Sequence, residues 1–139
     1  MTVGAKELRY AVDLSASGEL TEEHGVALDP PPEWSPEHLL LAALVRCSLK
    51  SLRYHADIRT VAIRSSSGTG RTLVTKRETD DRYALVETEV QLAVELDPEP
   101  EPAALAELLA LAERDCFVGS SLTAKPSYGW AVNGRTIDS

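Results

Sequence analysis

Apolar and polar residues alternate in short stretches near the start of the chain. Leu8, Tyr10 and Val12 alternate with polar neighbours, and a second apolar stretch, Val26 to Leu28, follows a Ser-Ala-Ser-Gly turn. Alternation with a period of two is typical of β-strands that have one buried face. We therefore predict short N-terminal strands within residues 1–30, arranged as a small meander.

A long apolar segment then begins with a recognisable helix start. The Ser35 hydroxyl can cap a free N–H group, Pro36 suits the first helical position, and Glu37 lies at the positive end of the helix dipole. Apolar residues occupy nearly every direction around the axis until Arg46. We predict a long central helix over residues 36–56, with its first three turns buried on all sides.

The second half of the chain repeats the order of strands followed by helices. Residues 61–96 are rich in β-branched residues and keep a period of two near their end, and Gly68-Thr69-Gly70 is expected to break the first pair of strands. Leu105, Leu108, Leu109 and Ala112 form one apolar stripe, so helices are predicted within residues 102–122. A last strand is predicted within residues 127–134. This order of elements predicts an α+β fold in a single domain, residues 1–139.

Composition and charge narrow the range of functions. With 43% hydrophobic and 26% charged residues, the 139-residue chain has the balance of a globular protein, which excludes disorder as its main state. A net charge of −8 opposes binding to nucleic acid or to an anionic membrane surface. No apolar run approaches the length of a membrane span, and the first residues do not resemble a secretory signal. We expect a cytoplasmic protein.

Two cysteines, Cys47 and Cys116, lie 69 positions apart and are the main candidates for chemistry. In a reducing compartment a structural disulfide is not expected, so the two thiols serve either redox chemistry or plain burial in the core. The histidines, His24, His38 and His55, do not have the short spacing of zinc ligands. No metal site is expected.

Peroxide reduction by a thiol requires a thiolate, a nearby cation or hydrogen-bond donor, and a second thiol that traps the sulfenic acid. Burial in the middle of an apolar helix would raise the pKa of Cys47, so a cation is needed beside it. Lys50 shares its helix face, and Arg9 could come from the first strand; which cation serves stays open. Cys116 is better placed, because Asp115 could cap a short helix whose N–H groups favour a thiolate.

These residues carry a resemblance to a known family. Residues 36–47, PEHLLLAALVRC, resemble the signature P-E-x-L-L-x-A-A-x-x-x-C of the OsmC/Ohr family, the osmotically inducible and organic hydroperoxide resistance proteins. The segment from Ala112 to Leu122 resembles the second cysteine segment of that family, although Phe117 stands where the family often has proline. The likeness extends over nearly the whole chain.

The resemblance implies an OsmC-like α+β fold with antiparallel sheets around a long central helix, in an intertwined homodimer. It also implies thiol-dependent reduction of organic hydroperoxides. Cys47 would attack the peroxide, Cys116 would resolve the sulfenic acid as a disulfide, and Glu37 would orient an arginine, with Arg9 the candidate. No bound cofactor is expected, since an external dithiol such as a lipoylated protein would reset the enzyme.

The spacing of Glu37 and Cys47 supports a site shared between chains. Ten residues of helix are about 15 Å long, so both side chains of one straight helix cannot reach the same peroxide oxygen. The apolar residues from Leu39 to Val45 also exceed what one chain of this size covers well. Two alternatives stay open: a slow redox-responsive or small-ligand-binding module with the same fold, and a structural dimer in which both cysteines are buried core residues.

Overall fold

The computed structural model describes residues 4–138, which divide into two compact units, one ending at Ser35 and one beginning at Pro36. The N-terminal unit is a three-stranded antiparallel sheet in the order β1-β2-β3. Its strands are β1 (Val12–Leu14), β2 (Leu20–Glu22) and β3 (Ala27–Leu28). The meander predicted from alternation is confirmed, but the first strand begins at Val12 rather than near Leu8.

The C-terminal unit contains three helices and a four-stranded sheet. Its elements are α1 (Pro36–Ile58), β4 (Ala62–Lys76), β5 (Tyr83–Asp97), α2 (Pro102–Arg114), α3 (Phe117–Ser121), β6 (Ser127–Val132) and β7 (Arg135–Ile137). The sheet order is β4-β5-β6-β7. The β5–β6 pair is parallel, while the other two pairs are antiparallel. A parallel neighbour requires a crossover, and α2 and α3 form it.

The core of this unit lies between α1, α2 and one face of β5. On β5 the buried positions are every second residue, Val90, Leu92, Val94 and Leu96, and the residues between them are exposed. The apolar stripe of α2, which contains Leu108 and Ala112, is buried as its spacing predicts. Pro102 occupies the first turn of α2, as expected from the proline-rich segment before it.

The central helix is buried along its second half rather than its first. Its buried residues lie between Leu44 and Ala56, whereas Ala42 and Ala43 are exposed and Leu39 to Leu41 are only half-buried. The prediction that the first three turns are enclosed on all sides is therefore wrong for the single chain. The reason is that α2, α3 and the sheet of this unit cover the helix from Leu44 onward.

The glycines at 68 and 70 do not interrupt the sheet, so the predicted break is wrong. Strand β4 runs through them and pairs with β5 along its whole length. A Cβ atom at Gly68 would lie 2.7 Å from Leu92 Cδ2 and 2.9 Å from Val45 Cγ1. Glycine at these positions therefore allows α1 to pack closely against β4, because it has no side chain in the space between them.

The last strand is followed by a turn, as predicted, and then by one more strand. Asn133 and Gly134 have φ values of 51° and 81°, the left-handed conformation of a two-residue hairpin turn. This turn connects β6 to β7. Among the helices of residues 4–138, none combines the length and apolarity that crossing a membrane would require.

Candidate active site

Cys47 lies in the middle of α1, on the part of the helix that begins to enter the core. Its side chain is half-buried and packs against the hydrophobic cluster. Leu44 and Ser48, which neighbour it on the helix, are fully buried. The helix thus presents this thiol at the margin of the core, where solutes can still reach it.

Cys116 lies between α2 and α3 and is fully buried. It is the N-cap residue of α3, and its Sγ accepts a hydrogen bond from the Gly119 N–H at 3.4 Å. Asp115 was expected to be this cap, and that expectation is wrong. Asp115 instead ends α2, with its N–H donating to Leu111 O, and its carboxylate is occupied by other partners.

The fold brings the two cysteines close together, since Cys47 packs against the core cluster that contains Cys116. The Cys47 sulfur interacts with the Cys116 thiol and with the backbone N–H groups of Val118 and Phe117 at the start of α3. Burial raises the pKa of Cys47 above its ordinary value, the Val118 N–H opposes that rise, and the Cys116 thiol adds to it. In this state Cys47 is held mainly as a thiol.

Two hydroxyl groups complete the surroundings of Cys116. Ser48 Oγ donates to Leu44 O at 2.8 Å, and it lies 3.6 Å from Cys116 Sγ and 3.3 Å from the Tyr128 hydroxyl. Burial raises the pKa of Tyr128 to about 12, a rise that the hydrogen bond with Ser48 opposes and the neighbouring Cys116 reinforces. Tyr128 therefore keeps its proton at neutral pH.

A partly buried hydrogen bond between His55 and Asp115 fixes the segment that carries Cys116. His55, near the end of α1, is buried, and its Nε2 lies 2.7 Å from Asp115 Oδ2. Arg114 Nε donates to the other carboxylate oxygen at 2.8 Å. The hydrogen bonds from Arg114 and then from His55 hold the pKa of Asp115 at about 2, although burial opposes this. The junction of α2 and α3 is thereby tied to α1, two turns beyond Cys47.

The other two expected site residues are Glu37, at the start of α1, and Arg9, in the N-terminal unit. Glu37 is exposed in the first turn of α1, ten residues from Cys47, which corresponds to about 15 Å along the helix. Arg9 belongs to the N-terminal unit, where its guanidinium lies 3.2 Å from the Glu7 carboxylate and its side chain is 82% exposed. Within the C-terminal unit, the structure thus joins the two sulfurs and leaves Glu37 at the far end of the helix.

Ser48, Tyr128 and the pair of His55 and Asp115 were not predicted from the sequence. The available signal for Ser48 was its position directly after Cys47 on α1. Tyr128 and His55 gave no comparable signal, because only the packing of β6 and α2 against α1 brings them to the cysteine segment. Long-range pairing of this kind has no local pattern in the sequence.

One group of potential metal ligands occurs among residues 4–138. Glu22, Glu23 and His24 place a nitrogen and carboxylate oxygens within 4.8 Å of one another. The Glu22 carboxylate is already used by the turn, because it accepts hydrogen bonds from the backbone N–H groups of His24 and Val26. This arrangement accounts for the cluster as a turn of the N-terminal sheet.

Comparison with known proteins places this geometry in a family. The profile of the family described as OsmC-like protein matches residues 29–130, a span that contains both cysteines and nearly all of the C-terminal unit. The chain belongs to the OsmC-like family. Among curated proteins, none matches it.

Solved structures show the same fold at low sequence identity. An OsmC-like protein of unknown function from Vibrio cholerae has a TM-score of 0.73 and 14% identity, over 91% of this chain and 99% of that chain. An OsmC-like protein from Mycoplasma pneumoniae has a TM-score of 0.67 and 17% identity, over 91% and 97%. The organic hydroperoxide resistance protein OhrB of Bacillus subtilis has a TM-score of 0.54 and 19% identity, over 90% and 96%. The α+β OsmC/Ohr fold expected from the sequence is confirmed.

Proposed function

We propose that this protein is a thiol-dependent peroxidase that reduces organic hydroperoxides through Cys47 and Cys116. The observation that carries the proposal is the proximity of the two thiols, which come from separate elements 69 positions apart. Cys47 is half-buried and Cys116 is fully buried, so the roles of attacking and resolving thiol fall to them in that order. Similarity of fold to a protein named for organic hydroperoxide resistance supports the same reaction.

The reaction proceeds in two steps on the protein and one step with a reductant. The Cys47 thiolate attacks the hydroperoxide, an S–O bond forms, the O–O bond breaks, and the alkoxide takes a proton and leaves as an alcohol. The Cys116 sulfur then attacks the sulfur of the Cys47 sulfenic acid, so that the S–S bond forms and the S–O bond breaks. The departing hydroxide takes the proton of the Cys116 thiol and leaves as water. A dithiol reduces the resulting disulfide and is itself oxidised. No bound cofactor takes part.

Activation of Cys47 is the demanding step, because burial favours its neutral thiol. The N–H groups of Phe117 and Val118 favour the thiolate, and a cation would add to their effect. Arg9, oriented by Glu37, is the proposed source of that charge. Since Glu37 lies about 15 Å along the helix from Cys47 of its own chain, we propose a homodimer whose sites take these residues from both chains.

Mixing of variant subunits tests the shared site. Glu37→Gln and Cys47→Ser subunits are each expected to form poorly active homodimers, whereas the mixed dimer restores one site with all its groups. Denaturation and joint refolding of the two variants should therefore give activity well above that of either parent refolded alone. Activity no higher than that of the parents would show that each site is built from one chain.

The substrate class follows from the surface next to Cys47. Leu39 to Leu41 are half-buried, and Ala42 and Ala43 are exposed on the helix turns that precede the thiol. An apolar surface of this kind binds a hydrocarbon chain better than it binds hydrogen peroxide. We therefore propose alkyl or fatty-acyl hydroperoxides as substrates. A small dithiol or a lipoylated protein would be the reductant in the cytoplasm.

Consumption of tert-butyl hydroperoxide with dihydrolipoamide is the direct test. Wild type is expected to be active and Cys47→Ser inactive. After one equivalent of hydroperoxide, wild type should lose about 2 Da, the mass of two hydrogens, through the internal disulfide. Cys116→Ser should instead gain about 16 Da as an unresolved sulfenic acid, and about 32 Da once a second equivalent oxidises it to a sulfinic acid. A wild type no faster than Cys47→Ser would refute the peroxidase.

A slower redox module with the same cysteine pair is the second candidate function. The raised pKa of Cys47 favours it, since a mostly protonated thiol reacts slowly with peroxides. Such a module would form the disulfide stoichiometrically, with the mass loss described above, but would not turn over in the presence of excess dihydrolipoamide. Steady turnover of hydroperoxide distinguishes the enzyme from this module.

A further inference from the structure

The two sulfurs of the pair have different surroundings. Three potential hydrogen-bond donors surround Cys116 Sγ: the Gly119 N–H at 3.4 Å, Ser48 Oγ at 3.6 Å, and the Tyr128 hydroxyl, which lies 3.3 Å from Ser48 Oγ. The single Ser48 proton is shared between Cys116 Sγ and Leu44 O, which lies 2.8 Å away. All three donors belong to this buried pocket, which we call the Cys116 pocket. Cys47 lies closer to the surface, and its sulfur interacts with the N–H groups at the start of α3 and with the Cys116 thiol.

The Cys116 pocket has specific steric requirements. A Cβ atom at position 119 would lie 2.8 Å from the Tyr128 hydroxyl and 3.4 Å from Cys116 Sγ. Glycine at this position therefore leaves room for the hydroxyl beside the sulfur. Tyr128 keeps its proton at neutral pH, since burial raises its pKa to about 12, and it stays available as a donor.

We propose that Cys116 is the leaving sulfur when the disulfide is reduced, and that the reductant therefore attacks Cys47. Ser48, Tyr128 and the Gly119 N–H stabilise the departing Cys116 thiolate. This inference rests on the proposed function, because it concerns the disulfide formed in that cycle. Hydrogen bonds to an ionised sulfur are stronger than those to a neutral thiol, so the pocket favours the separation of charge as the disulfide breaks.

The balanced reaction has two exchanges. One thiolate of the dithiol attacks Cys47 Sγ, a mixed disulfide forms, and the Cys47–Cys116 bond breaks with its electron pair on Cys116 Sγ. The second thiol of the dithiol then attacks the first reductant sulfur, which is bonded to Cys47 in the mixed disulfide. The bond to Cys47 breaks, and Cys47 leaves as a thiolate. The two protons of the dithiol end on Cys116 and Cys47, and the reductant leaves as a cyclic disulfide.

The attacked sulfur can be identified by trapping. The disulfide is prepared with diamide, which needs no peroxidase activity, and is then treated briefly with 2-mercaptoethanol and quenched in acid. Alkylation and peptide mapping should locate the 2-mercaptoethanol adduct on Cys47. An adduct on Cys116, or equal amounts on both, would overturn the proposal.

The role of the donors is tested by Tyr128→Phe, which removes one hydroxyl and keeps the ring. Reduction of the diamide-formed disulfide by dihydrolipoamide should slow about tenfold, because one hydrogen bond to a charged sulfur is lost. The adduct distribution should also move toward Cys116, which loss of packing alone would not produce. Tyr83→Phe, at an exposed tyrosine of β5, is the matched control and should reduce at the wild-type rate.

The outcomes separate this inference from the proposed function. If diamide forms the disulfide and hydroperoxide does not, the peroxidase is refuted while the trapping result still decides which sulfur leaves. If Tyr128→Phe and Tyr83→Phe are reduced at the same rate with the same adducts, the donor role is refuted while the peroxidase stands. If diamide links no cysteines, the contact that both proposals require is absent.

Discussion

Substitution of Gly68 by alanine tests how closely α1 approaches the sheet. In an ordinary strand position, glycine to alanine gains roughly 0.5–1 kcal/mol, because the unfolded chain loses freedom. At Gly68 the new Cβ would lie 2.7 Å from Leu92 Cδ2, 2.9 Å from Val45 Cγ1 and 3.1 Å from Gln91 O. Leu92 is a buried core residue and the third atom is backbone, so these neighbours have little room to move.

Overpacking of this kind costs about 1–3 kcal/mol, which outweighs the gain in chain entropy. We expect Gly68→Ala to lower the free energy of unfolding by about 1–2 kcal/mol and the melting temperature by about 3–6 °C. Gly129→Ala is the matched control, because the three atoms nearest its Cβ would all belong to the side chain of Gln91, an exposed residue that can turn away. That variant should be as stable as wild type or slightly more stable.

Urea unfolding followed by circular dichroism measures both variants against wild type. The protein concentration must be equal in all samples, since dimer formation would make stability depend on it. If Gly68→Ala proves as stable as Gly129→Ala, then α1 does not approach β4 as closely as the structure places it. Gly68 would then not be explained by the packing of the helix on the sheet.

Three further predictions concern charge and the site. Asp115→Asn should lower the free energy of unfolding by about 1–2 kcal/mol at neutral pH, because buried His55 loses its charged acceptor. In urea titrations, the control Asp57→Asn, at an exposed position, should not lower it. Equal stability of the two variants would contradict the role of the pair. Because the pKa of Asp115 is held at about 2, its ionised form stabilises the fold fully above the ordinary carboxyl pKa of 3.8, and this contribution disappears as the pH falls toward 2. Because the Asp115 side chain is 36% exposed, this contribution is below about 1 kcal/mol. The difference in unfolding free energy between wild type and Asp115→Asn should therefore become smaller in acid. A difference that does not change with pH would count against the contribution of the Asp115 charge. Since the pKa of Cys47 is raised, its reaction with tert-butyl hydroperoxide should still become faster at pH values above those at which an ordinary thiol is fully ionised. Stopped-flow experiments measure this rate. A rate that does not change with pH would show that a cation already holds Cys47 as a thiolate.

Local patterns in the sequence predicted most of the elements. The helix start at Pro36, the period-two strand of β5 and the Asn133-Gly134 turn each depend on neighbouring residues, and each is present in the structure. The errors arose where a local signal had a long-range cause. Gly68 suggested a break because glycine weakens strands, but the approach of Val45 and Leu92 explains its presence.

The site shows the same division between local and long-range information. Cys47 and Cys116 could be chosen as candidates from residue type, and a family signature surrounds the first of them. Their contact depends on how α3 packs against α1, which no spacing in the sequence states. Asp115 was expected to cap α3, but its carboxylate is bound by His55 and Arg114, so Cys116 takes the cap position itself.

The difference between the two thiols follows from this arrangement. The pair of His55 and Asp115 holds the α2–α3 junction against α1, and the Cys116 sulfur is thereby directed inward toward Ser48. Cys47 keeps its position at the margin of the core, beside helix turns that the other elements of the C-terminal unit leave partly uncovered. A thiol that must meet a hydroperoxide needs access, and a thiol that must leave as an anion needs donors. The fold provides these two environments within one pair of contacting sulfurs, so a loss of the His55–Asp115 pair should impair resolution and reduction of the disulfide more than the first attack on the peroxide.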